Sequence, residues 1–299
     1  MRSAHVLIVT LLASAGSFAR ADAAAPPIRT VIWLSSEAVP ATTEATMAGD
    51  TTRPKPVALS FAATLAVFLR SRWTGVEHLF EQANPRRGWE MIGNGEPACY
   101  LFAGRTPERD RLAYFTDVLL TPPPGVIVRR DKLAALPRDA AGEVDLPRLL
   151  ADRRLRGAIN DGRSYGDYIN AQLRAAPADA NLKRYSANDF GRNIPEMLVK
   201  GRADYGFGWV RAAELGSAAG QVVGAPVAGN TELVHAGIAC PRTSWGLTVI
   251  RQVDALFATP DGQALVHLKM NAELPPATRQ RHAAEIAAFY RDLAKPPPR

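Results

Sequence analysis

An α/β fold in two lobes is the expectation this sequence raises, and three observations raise it. Short β-rich apolar runs alternate with longer helical segments in two successive series, the order that builds a largely parallel sheet covered by helices. A local self-similarity repeats across those series: EMIGNGEPACYLF from Glu90 and EMLVKGRADYGFG from Glu196 share Glu-Met, an aliphatic residue and a glycine in register. The chain's 299 residues, 47% hydrophobic and 22% charged, are enough for two modest cores.

The elements follow in order. Residues 1–23 carry Arg2, an apolar stretch from Val6 to Leu12 and an A-x-A element at Ala21 and Ala23, the pattern of a secretory signal peptide cut after Ala23. That stretch is short for a membrane span, and no later segment approaches about 20 continuous apolar residues. The expected location is therefore the periplasm. RTVIWLSS then reads as a first strand, Pro40 to Pro56 as an inserted loop, and VALSFAATLAVFLRSRW as a helix. A strand at His78–Glu81, a helix at Arg87–Ile92 and a strand at Ala98–Phe102 complete the first series.

TPPPGVIVRR opens the second series with a strand at Val126–Val128. A helix from Pro147, the strand GAIN, a helix after Ser164 and the strand DYGFGW follow. HAGIACP is a further strand ending at Pro241, with helices over Trp245–Phe257, Gly262–Met270 and Ala277–Leu293 behind it.

Composition excludes several classes of function. The formal charge of +7 falls to +6 without residues 1–23 and weakly favours anionic ligands. Its basic residues are scattered rather than gathered in an aromatic-laced stripe, which argues against nucleic acid as a partner. His5, His78, His235, His267 and His282 form no ligand-spaced pair with each other or with cysteine, so no metal is expected. Walker and dinucleotide-binding glycine motifs are absent, and no cofactor is expected. Cys99 and Cys240 allow one disulfide or two buried thiols, and spacing does not choose.

The chemistry concentrates in GRTPERDRLAYFTD, from Gly104 to Asp117. Thr106 suits a helix N-cap and Pro107 a first helical position. Arg109 then falls in the first turn, where the helix dipole disfavours a cation. Either it is a solvated surface residue beside Arg105 and Arg111, or its planar fork holds a carboxylate. In NDGRSYGDYI, Ser164 can cap a second helix, with Asp167 completing a capping box.

In order and spacing, GNGEPACYLFAGRTPERDRLAYFTDVLLTPP and HAGIACPRTSWG resemble type 2 periplasmic solute-binding proteins of the family 3 group. RTPER, RSYGDYI, GRADY and ACPRTSWG resemble a less characterised subgroup of exported proteins related to it. The resemblance implies two lobes joined by two crossover strands around a ligand cleft. Lobe 1 would comprise residues 24–121 and 241–299, lobe 2 residues 122–240, and the hinge strands Leu119–Val126 and Ile238–Pro241.

It further implies that Arg109, with Thr106, grips a ligand carboxylate, and that Ser164 and Tyr165 contact it from lobe 2. Arg105 and Arg111 are then incidental solvation. Amino-acid binders carry an acid after the strand matching ADYGFG, to pair the ligand's α-ammonium. This chain has Trp209 there, so the ligand is not expected to require an α-ammonium group. Trp33 is a candidate at the end of the first strand, with core packing its alternative, and Glu37 is a candidate for the missing acid; Tyr114 and Phe115 read as core. The same resemblance implies that Cys99 and Cys240 approach within bonding range.

The implied function is a monomeric exported binding protein. It would close on a small carboxylate-bearing solute, whether amino-acid-like or another organic anion, for a membrane transporter or sensor. The rival is an enzyme such as a dehydratase or lyase on the same fold, with His235 and Glu37 as conceivable acid–base groups.

Overall fold

A computed structural model describes residues 27–37, 39, 60–186, 193–209 and 218–295. The expected signal peptide, its cleavage site and the 40–56 insertion lie outside those residues. The first lobe contains β1 (Thr30–Ser35), α1 (Phe61–Arg72), β2 (Glu77–Gln82), α2 (Pro85–Gly93), β3 (Ala98–Gly104), α3 (Pro107–Asp110) and β4 (Ala113–Thr121). The second contains β5 (Gly125–Arg129), α4 (Leu146–Ala151), β6 (Gly157–Asn160), α5 (Gly166–Ala175), β7 (Leu182–Tyr185), α6 (Asn193–Val199), β8 (Tyr205–Gly208) and β9 (Val222–Ala225). The chain then returns through β10 (Val234–Pro241) to α7 (Ser244–Phe257), α8 (Pro260–Glu273), α9 (Pro276–Arg281) and α10 (Ala283–Leu293).

Two five-stranded sheets result, in the orders β2-β1-β3-β10-β4 and β7-β6-β8-β5-β9. Each sets three parallel strands beside an antiparallel one. The self-similar segments occupy matching places, at the α2–β3 and α6–β8 junctions. Gly95 and Gly201 are both at positive φ. The amide of Glu96 bonds the carbonyl of Met91, and that of Arg202 bonds the carbonyl of Met197. Each glycine thus ends its helix in the same six-to-one hydrogen-bonded turn, a conformation other L-residues rarely adopt. The repeat in the sequence is a repeated helix stop.

Burial explains why the central strands read as unbroken apolar runs. A sheet covered on both faces needs apolar residues on both. Val31, Trp33, Cys99, Leu101, Val118 and Leu120 form a first-lobe core with α1, α7 and α8. Val126, Ile159, Tyr165, Ile169 and Phe207 form the second-lobe core. Tyr114 and Phe115 pack against first-lobe clusters.

Three features differ from the sequence-based expectation. β7 and β9 are four-residue strands at the edges of their sheet, too short for an alternating pattern to emerge. The C-terminal helix is broken at His282, whose φ of −105° and ψ of 23° are not helical. β10 pairs with β4 from Val234↔Thr121 to Pro241↔Ala113, so its residues belong to the first sheet and not to lobe 2. The chain crosses between sheets at residues 122–124 and 226–233, the second crossing lying earlier than the expected 238–241. Asn230 ties the two crossings together by donating from Nδ2 to the carbonyl of Pro124 (2.7 Å).

Cys99 of β3 and Cys240 of β10 are joined by a disulfide, their Cα atoms 4.3 Å apart. The antiparallel register of these neighbouring strands, in which Ala239 faces Tyr100, brings them together. Among the described residues no helix is long and apolar enough to cross a membrane.

Candidate functional site

The C-terminal ends of parallel strands open on the crevice between lobes, where α/β proteins place ligands. At the end of β3, Thr106 caps α3: its Oγ1 accepts from the backbone N–H of Arg109 (3.2 Å). The cap leaves Thr106 almost fully buried and directs the Arg109 side chain across the crevice.

The Arg109 guanidinium donates from Nη1 to the carbonyl of Gly104 (2.6 Å) in its own lobe. It donates from Nη2 to the carbonyl of Gly162 (2.9 Å) in the other. Its Cζ lies 4.3 Å from the ring centroid of Trp89, which in turn stacks on Tyr100 and Phe115. Among the described residues no carboxylate lies within 4.0 Å of this guanidinium. Burial lowers its pKa to about 10, with Arg163 acting in the same direction. A desolvated cation held by two carbonyls and a ring face, with no carboxylate partner among the described residues, favours an incoming anion.

Gly162 makes this bridge possible. It sits at positive φ in the tight turn after β6, and a Cβ there would lie 2.7 Å from the backbone nitrogen of Arg86 on α2. Arg86–Asp161 (3.8 Å) and Arg174–Glu108 (3.6 Å) cross the same gap. These exposed pairs are screened by solvent and contribute little, so the close backbone approach matters more. Gly162→Ala is therefore expected to hold the lobes apart, because it adds the clash to a positive-φ penalty of roughly 1 kcal/mol. Small-angle scattering should give a larger radius of gyration than the parent protein, and equal radii would contradict a closure that depends on this contact.

The expected site residues divide. Trp209 faces the crevice at its inner end, and its Nε1 donates to Thr121 Oγ1 and to the carbonyl of Pro122 (both 3.0 Å). The guanidinium carbon of Arg163 lies 5.1 Å from the Trp209 ring centroid, so a cation of the protein already covers that ring. Glu37, just beyond β1, acts electrostatically on Tyr100, as do Arg109 and Arg163. Ser36 is hydrogen-bonded to the Tyr100 hydroxyl.

Trp33 is not at the crevice. It is fully buried within β1, and its indole donates to His78 Nδ1 (2.9 Å). The strand continues beyond it, so Ser35 and Ser36 occupy the position expected for the tryptophan. Tyr165 is likewise drawn into the second-lobe core: it is almost wholly buried, packs on Phe207, and its hydroxyl accepts from the N–H of Asn160 (2.9 Å). Ser164 stands two residues before α5 and accepts from the N–H of Gly166 (3.3 Å) and from Asn170 Nδ2 (2.8 Å). Asn170, not Asp167, reaches back to this helix start, and it also accepts from the Tyr165 N–H. The capping box is thus replaced by an asparagine bracket.

Arg105 is more than incidental. It pairs with Asp110 (2.8 Å) and Asp117 (3.0 Å), fixing the turn that carries Arg109 to β4. Trp89, Tyr100 and Arg163 are crevice residues that the sequence did not suggest. Gly88 is the signal for the first two: a side chain there would meet the Tyr100 ring, so glycine lets α2 settle on that ring beside Trp89.

A cavity of about 700 Å³ opens on the far side of the Thr106–Arg109 turn, between the same two lobes. Asp110, Asp117, Asp167, Glu232, Glu285 and Asp292 line it against Arg105, His235 and His282. That excess of carboxylates repels an anion, so the arginine face is the candidate anion site. His235 lines this cavity, which Glu37 does not. Its Nδ1 lies 3.1 Å from Asp117 Oδ2, and that hydrogen bond raises its pKa. The conceivable acid–base pair, His235 and Glu37, is therefore not assembled.

No family model matches the sequence. No curated protein matches it. Solved structures do resemble it in fold. A histidine kinase sensor domain similar to periplasmic binding proteins is 14% identical, with a TM-score of 0.53, over 83% of this chain and 99% of that one. The P235GK mutant of ArgBP from T. maritima is 16% identical, with a TM-score of 0.55, over 82% of this chain and 96% of that one. The AvGluR1 ligand-binding domain complexed with methionine is 15% identical, with a TM-score of 0.54, over 83% and 98%. At such identities the likeness is one of fold: this chain has the two-lobed fold of the periplasmic binding proteins.

Proposed function

We propose that the protein is an exported, periplasmic solute-binding protein whose lobes close on a small organic anion and present the closed form to a membrane transporter or sensor. The observation that carries this reading is Arg109, which spans the lobes with no carboxylate within 4.0 Å among the described residues. Three of its five N–H donors remain for a ligand carboxylate beyond the two carbonyl bonds. A ligand that completes contacts to both lobes shifts the population toward the closed form. The solved structures of similar fold include amino-acid-transporter binding proteins and a sensor domain, in keeping with either partner.

The ligand does not require an α-ammonium group. Where amino-acid binders place an acid, Trp209 has its N–H committed to Thr121 and Pro122 and its ring beneath Arg163. Calorimetry with matched pairs, alanine against propionate and norvaline against valerate, tests this. The deaminated acids should bind at least as tightly as the amino acids. A preference of tenfold or more for the amino acids would overturn the assignment.

A further inference from the structure

We propose that the ligand carries, besides the carboxylate taken by Arg109, a neutral hydrogen-bond donor, a hydroxyl or a carboxamide N–H, which the side-chain oxygen of Asn160 receives from lobe 2. The inference rests on the solute-binding reading above and names its ligand class: a small carboxylate bearing a hydroxyl or an amide.

Asn160 ends β6 at the crevice and opens the turn that meets Arg109. The backbone N–H of Arg163 bonds back to the Asn160 carbonyl (3.4 Å) and closes that turn, within which the Gly162 carbonyl accepts from Arg109 Nη2 (2.9 Å). The Asn160 N–H donates to the Tyr165 hydroxyl (2.9 Å). Both backbone groups of Asn160 are thus paired. Its side chain is not: the residue is 4% exposed, and its Oδ1 is buried with no hydrogen-bond partner among the described residues. An acceptor withdrawn from water costs stability unless it is paired. At the crevice edge, a ligand's donor can recover that cost.

A second acceptor lies at the same end of this sheet. The far end of α6 is fixed beside the beginning of β6, because the Gly201 carbonyl after α6 accepts from Arg156 Nη2 (2.7 Å) just before β6. The near end of α6 therefore lies toward the crevice, with Ile194 packed in one cluster with Ala158. There the Oδ1 of Asn193 is also buried with no hydrogen-bond partner among the described residues. A neutral oxygen satisfies a hydroxyl or an amide N–H, whereas it leaves the charge of a buried ammonium unbalanced. An unsubstituted fatty acid gives Arg109 its carboxylate and leaves Asn160 unpaired. A ligand with both groups joins Arg109 of lobe 1 to Asn160 of lobe 2, and so couples binding to closure.

The test is calorimetry on the full exported protein with pairs that differ in the donor: lactate against propionate, β-hydroxybutyrate against butyrate, and succinamate against levulinate, in which a methyl replaces the amide NH₂. The donor-bearing acid of at least one pair should bind at least tenfold more tightly, because a site built around a hydrogen bond rejects the analogue that lacks it. Which pair shows the advantage separates hydroxyl from amide. In Asn160→Leu that ratio should collapse toward one, while propionate, butyrate and levulinate keep their parent affinities. A melting curve confirms that the variant folds, and Asn160→Ala gives the same comparison if leucine does not fit. No advantage in any pair, or an advantage that survives in the folded variant, would overturn the inference. Should all the acids bind alike and depend on Arg109, the inference fails while the anion-binding reading stands. Binding of none of them would overturn both.

Discussion

Arg109→Ala is expected to weaken binding of small carboxylates by about 2–5 kcal/mol, the cost of removing one partner from a desolvated, charge-assisted contact. Arg109 stands in a four-residue helix whose cap is made by Thr106 to the backbone amide, so the substitution leaves the cap in place. The side chain's own fold contacts are two carbonyls and the Trp89 ring. Melting temperature should therefore change little while affinity falls. Lysine should recover only part of the loss, because it lacks the planar fork. Calorimetry of the three proteins against one tight-binding carboxylate reads both effects, and unaltered affinity in the alanine variant would refute the assignment.

Loss of the Cys99–Cys240 disulfide should cost about 5 kcal/mol if closure of the long loop in the unfolded chain dominates. The loop is long because the cysteines are 141 residues apart: the bond joins strands that lie on either side of the whole second lobe in sequence. Urea denaturation of the oxidised protein and of Cys99→Ser/Cys240→Ser should differ chiefly in midpoint. Alkylation of unfolded exported protein without reductant should label neither cysteine. Two readily labelled thiols would contradict the bond.

Much of the fold was legible because local signals and burial agreed. Central strands such as TVIWLS and ACYLFAG are covered on both faces and so read as apolar runs, and the two glycine helix stops repeat in register. Edge strands escaped notice because LKRY is only four residues long, with its two middle residues exposed. The second crossing was misplaced because the apolar run after His235 does not show where the chain leaves the second sheet. Only its pairing with β3 and β4 reveals that it lies inside the first sheet.

The site was legible where chemistry depends on a single local motif. Thr106, Pro107 and Arg109 form one turn, and their geometry follows from capping. Trp33 and Tyr165 were misjudged because a strand or helix boundary one or two residues away decides whether a side chain meets the crevice or the core. Arg163 and Trp89 come from different lobes, and their convergence on Arg109 depends on how the lobes meet, which no local pattern encodes.

The central claim is that a small organic anion binds between the lobes against Arg109. Its most direct measurement is a crystal structure of the full exported protein with succinate, at a concentration that saturates binding in solution. The account predicts a carboxylate within hydrogen-bonding distance of the Arg109 guanidinium, with Gly162 still packed on Arg86. Succinate in the acid-lined cavity behind Thr106, or a crevice that excludes it while Arg109 keeps both carbonyl bonds, would contradict it.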